Sequence, residues 1–103
     1  SLGTAMAGPI KNYYKVLGLQ PGATAADVRK AYKFLAAKHH PDKNAGDQQA
    51  TDRFTLIKTA QDELLKAEVK VALDRQIKMG RALEPEWHPE MSTAPEPPAV
   101  VKA

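Results

Sequence analysis

Apolar residues along this chain recur at intervals of three and four, the period of helices packed by one face. Four segments carry the pattern. Pro9 to Leu17 is a short candidate, ended by Gly18, with Tyr13, Val16 and Leu17 on one face. Gln20-Pro21-Gly22-Ala23 reads as a turn. Thr24 then stands as an N-cap with Asp27 three positions on, which predicts a helix from Ala25 to His39, about 22 Å long. Val28, Ala31, Tyr32, Leu35 and His39 mark its inner face. Pro41 to Asp47 is polar and reads as a loop. A third helix is predicted over Gln48–Leu65, striped by Ala50, Phe54, Ile57, Ala60, Leu64 and Leu65, with the length to fold back antiparallel on the second as a hairpin. Glu68 to Met79 is the fourth, with Val69, Ala72, Leu73, Gln76 and Ile77, and it stops at Gly80. Nothing alternates with the period of a strand, so the fold class is all-α.

The pattern fails at both ends. From Glu84 onward five of the chain's eight prolines appear (Pro85, Pro89, Pro95, Pro97 and Pro98), and proline-dense sequence cannot continue a helix. Residues 81–103 therefore read as a Pro-rich linker or flexible tail, with the expectation of either a short protein or a fragment cut inside a linker left open. Residues 1–8 are small and lack signal-peptide order, and read as a flexible N-terminus or cloning remnant. One domain, 9–80, is left.

Composition narrows the function classes. There is no cysteine, which removes disulfides and thiolate metal sites and fits a reducing compartment, cytoplasmic or nuclear. No apolar run approaches the roughly 20 residues of a membrane span. A small aliphatic core leaves no volume for a deep substrate pocket. The 15 Lys and Arg exceed the 12 Asp and Glu by only three, so the placement of charge matters more than its total. Arg29, Lys30, Lys33 and Lys38 concentrate it on the polar side of the second helix.

That helix runs into His40-Pro41-Asp42. Proline stops it and stiffens the bend, leaving an imidazole and a carboxylate there with little entropy to lose on binding. The partial negative charge of a helix C-terminus favours a protonated histidine. On local physics alone the simpler reading is a helix stop followed by a turn. Metal binding through His39, His40 and His88 is not expected, because adjacent helical residues diverge by about 100° and no HxxxH spacing is present. His39 reads as a packed inner-face residue. His88-Pro89-Glu90 echoes the tripeptide but follows no basic helix, and reads as coincidence. No Gly-rich phosphate loop, Cys–His pair or Ser–His–Asp set supports an enzyme.

Several blocks in order change the balance. Asn12-Tyr13-Tyr14-Lys15-Val16-Leu17-Gly18-Leu19, Val28 to Ala36, His39-His40-Pro41-Asp42-Lys43-Asn44 and Phe54 to Ala60 together resemble a J-domain, the Hsp40 (DnaJ-like) module that recruits Hsp70 chaperones. The resemblance covers about Asn12 to Asp74. It implies a four-helix fold with the tripeptide in the loop of the helix 2–3 hairpin. It also implies an Hsp70 partner, no cofactor and no catalysis by the chain itself, which would act as a monomer. By position, His40, Pro41 and Asp42 would trigger ATP hydrolysis in the partner. Arg29, Tyr32 and Lys33, continued by Lys43 and Asn44, would dock on its acidic surface.

The chain also departs from that family. Phe34 stands where a basic residue is usual, and Gln61 replaces an aromatic after Ala60. The common Lys-Arg-x-x-Tyr-Asp pattern appears as Val69-Lys70-Val71-Ala72-Leu73-Asp74, which questions the packing of the fourth helix. No Gly/Phe-rich stretch or cysteine-based zinc module follows, as in J-proteins that keep only the J-domain. Two other readings stay open. One is a J-like scaffold that does not stimulate ATPase. The other is a nucleic-acid module using Arg29, Lys30, Lys33 and Lys38 on phosphates, which lacks interleaved aromatics.

Overall fold

The computed structural model describes residues 8–93, and the expectations for 1–7 and 94–103 lie outside them. The helices are α1 (Tyr13–Val16), α2 (Ala25–His39), α3 (Gln48–Leu64), α4 (Ala67–Lys78) and a short α5 (Pro89–Thr93). Among the described residues there is no strand, only an isolated parallel bridge between Lys11 and Leu83. The all-α expectation holds.

The long helices form where the chemistry at their ends dictates. Thr24 and Asp27 make a reciprocal capping box at the start of α2, with both bonds 3.1 Å. Asp47 opens α3 by accepting the amides of Gln49 and Ala50 at 3.0 and 3.3 Å. α1 and α4 both end on a glycine in the left-handed region, Gly18 (φ 71°) and Gly80 (φ 72°). The Leu19 amide reaches the Tyr14 carbonyl and the Arg81 amide reaches that of Gln76, each at 2.8 Å. This six-to-one closure requires a residue without a Cβ penalty at the turn.

α1 is shorter than the periodicity predicts. Residues 10–12 are extended, because their backbone pairs with Leu83: the Leu83 amide donates to Ile10 O and the Asn12 amide to Leu83 O, both at 2.8 Å. Asn12 then caps the single turn through the Lys15 amide. The buried tyrosine is also not the one expected. Tyr14 is fully buried with Val16 and Leu17, while Tyr13 is half-buried. The Tyr14 hydroxyl donates to Asp74 Oδ1 at 2.7 Å, so the phenol goes inside with its polar end satisfied. Burial, and then this bond, push its pKa up to about 12.

α2 and α3 pack side by side as the expected hairpin, with α1 and α4 against α3. Val28 and Leu35 from α2 meet Ile57, Ala60 and Leu64 from α3, and Leu73 from α4. Val69 and Leu73 are both buried, so the two departures in the fourth helix supply core mass and α4 packs soundly. Phe54 is only half-buried, and Leu65 turns out to solvent.

Residues 81–93 correct the linker expectation. Pro85 and Trp87 are buried, and Trp87 belongs to the main core. Glu84 pairs with Lys15 at 2.9 Å and Glu86 with Lys11 at 2.7 Å. The buried Gln76 amide accepts from Ile10 N–H at 2.6 Å and donates to Gly8 O at 2.9 Å, tying the N-terminal segment to α4. Proline excludes a long helix here but not a packed extended strap, which needs few backbone donors of its own.

Candidate functional site

His40 ends α2 with ψ 134°, the extended conformation that the following proline imposes. Two turns follow, with Lys43 N–H on His40 O at 3.1 Å and Asn44 N–H on Pro41 O at 3.2 Å. The Asn44 side-chain amide donates to His40 O at 2.9 Å and to Lys38 O at 3.3 Å, closing the open carbonyls of the α2 C-terminus. The Asn44 side-chain amide thus braces the loop from inside.

The Asp42 amide donates to His40 Nδ1 at 3.0 Å. Asp42 Oδ2 lies 3.8 Å from the same nitrogen, so both the amide and the carboxylate of Asp42 face the ring. The His40 ring meets Phe54 of α3 edge-on, centroids 5.2 Å apart. The Asp42 side chain is 91% exposed. The loop presents an imidazole and a solvated carboxylate from a braced backbone.

Arg29 and Lys33 lie one turn apart and exposed on α2, with the half-buried Tyr32 between them, and Lys43 is exposed in the loop. Among the described residues no ion pair neutralises Arg29, Lys33, Lys38 or Lys43, whereas Lys11, Lys15, Lys58 and Lys66 are all paired. Lys30 points elsewhere, into a shallow groove with Leu19, Phe34 and Pro89. Phe34 is 69% exposed at its rim.

His39 faces inward and is 7% exposed. Its ring meets Trp87 edge-on, centroids 5.1 Å apart, and the Arg53 guanidinium stands 5.7 Å from the Trp87 ring centre. Burial, then the positive charges of Arg53 and Lys38, hold the His39 pKa below its usual value. Sequence reasoning missed Trp87 as a neighbour of this loop. The available signal was a lone tryptophan, the largest apolar side chain there is, inside sequence otherwise suited to a linker.

Together the hairpin, the braced loop and the unpaired cations define a small helical module that carries its contact groups on the surface. The chain belongs to the DnaJ domain family, whose model matches residues 12–74. It is similar to the Chaperone protein DnaJ of Rhodospirillum centenum, with 46% identity over 65 residues. That match takes in 63% of this chain but only 17% of the relative. Among the described residues no helix is long and apolar enough to cross a membrane.

Proposed function

We propose that this chain is a J-domain co-chaperone that binds an Hsp70 in its ATP state and stimulates ATP hydrolysis through His40, Pro41 and Asp42. The observation that carries the reading is the loop itself, with Asp42 free in solvent on a backbone fixed by five local hydrogen bonds beside an uncompensated basic face. A contact group so held loses little entropy on binding. Arg29, Tyr32, Lys33 and Lys43 would supply the docking face. Unpaired cations attract an acidic surface over about 8 Å at physiological salt, which speeds encounter. The chain performs no chemistry; it favours one state of its partner by binding that state better. The altered fourth helix, the feature behind the scaffold reading, packs Val69 and Leu73 into the interior.

Single-turnover ATP hydrolysis by Hsp70s, with the chain and with His40→Gln, tests the proposal. Stimulation should appear with the native chain and vanish with the variant while the helical circular dichroism stays unchanged. Absence of stimulation by the native chain across Hsp70s would sink it.

A further inference from the structure

Beyond α4 the chain turns back at Gly80 and runs along the domain as a strap. Leu83 pairs with residues 10–12, Glu84 and Glu86 hold Lys15 and Lys11, and Trp87 enters the core. Trp87 arrives at one particular place: its ring lies against His39, the last residue of α2, and under Arg53, the neighbour of Phe54 on α3. The two consecutive histidines are therefore each held by a ring, His40 by Phe54 from α3 and His39 by Trp87 from the strap. Rotation of the last turn of α2 would break both contacts together, and that turn sets the direction in which His40-Pro41-Asp42 leaves the hairpin.

We propose that Trp87 is a positioning residue for the His40-Pro41-Asp42 loop, acting through His39, and that the strap at 81–89 is a working part of the module. This rests on the reading of that loop as the trigger. Trp87 touches no partner in this scheme. It fixes the presentation of the loop, Lys43 included, and leaves the α2 part of the docking face alone, since Arg29 and Lys33 sit two to three turns back along α2. Loss of the ring should lower the maximal stimulation and spare the affinity, a split that simple destabilisation does not produce.

The experiment uses the full chain with Trp87→Leu, which keeps apolar mass and removes the ring, and Trp87→Phe, which restores an aromatic edge. Leu73→Ala, in the core of α4, serves as a control that lowers thermal stability without touching the loop. Maximal single-turnover stimulation should fall about fivefold in Trp87→Leu, the effect of a change near 1 kcal/mol, with half-saturation shifting less than about twofold. Trp87→Phe should recover most of it. The heteronuclear NOEs of the Asp42, Lys43 and Asn44 amides should drop in Trp87→Leu and stay native-like in Trp87→Phe and Leu73→Ala. Equal loss of maximal stimulation in Leu73→Ala and Trp87→Leu, or unchanged loop amides in Trp87→Leu, overturns the positioning role. If the native chain stimulates no Hsp70, the co-chaperone reading falls, and the loop amides alone decide the role of Trp87 on the same two outcomes.

Discussion

His39 and His40 are neighbours in the chain and opposites in environment. One is buried against indole, the other half-exposed on a loop whose amide it accepts. Their difference gives a pH prediction. The folded protein holds the His39 pKa below the ordinary value of 6.5, so the unfolded chain takes up a proton first as pH falls. Stability from this residue is full above about pH 6.5, declines as pH falls toward the depressed folded pKa, and levels below it. Burial opposes protonation first, and the charged groups facing the ring, the cations Arg53 and Lys38, oppose it as well, which fixes the sign. Urea unfolding at several pH values should show a weaker pH dependence over this window for His39→Gln than for the native chain. Equal slopes would mean that His39 does not titrate on unfolding. Tyr14 offers a second test at this scale. Tyr14→Phe removes its bond to Asp74 and should cost about 1 kcal/mol, read from the urea midpoint, against about 2–5 kcal/mol for Leu73→Ala. A loss as large as that of the core truncation would give the bond more weight than a net hydrogen bond carries.

Elements differ in how plainly the chain announces them. α2 and α3 were legible because local signals agree with packing: a capping box, a proline stop, an aspartate N-cap and stripes with one period. α4 was legible to within a residue. α1 was not, because its N-terminal half is taken by long-range pairing with Leu83, and no window of ten residues contains that competitor. The same limit hid the strap. Proline density correctly excluded a helix, but burial of Pro85 and Trp87 depends on a groove made by other elements. The bonds inside the loop were not legible in the sequence: the Asn44 side chain donates to the α2 carbonyls that needed a donor, and the Asp42 amide donates to His40 Nδ1. Such demands exist only once the backbone has its final shape.

At the scale of the whole molecule, Lys11 and Lys15 beside the strap are paired with Glu86 and Glu84, while among the described residues no ion pair neutralises Arg29, Lys33, Lys38 or Lys43 of α2 and the loop. Reversing Arg29 and Lys33 to Glu should therefore weaken Hsp70 binding more at low salt than at high salt, with the fold intact. Equal losses at both salts, measured by titration, would rule out steering by this face. The scaffold reaches further than the region that marks the family. The family match closes at Asp74, but Trp87 completes the core, and Gln76 and Leu83 hold residues 8–12 through hydrogen bonds. This has a consequence for the order in which the protein comes into being. Synthesis proceeds from the N-terminus, so the growing chain contains His40-Pro41-Asp42 and both arms of its hairpin well before it contains residue 87. The ends that Leu83 joins lie near the two limits of the described chain, and such distant closures come late in folding. A growing chain that has not yet exposed residue 87 thus displays the motif without the ring contact that Trp87 makes with His39.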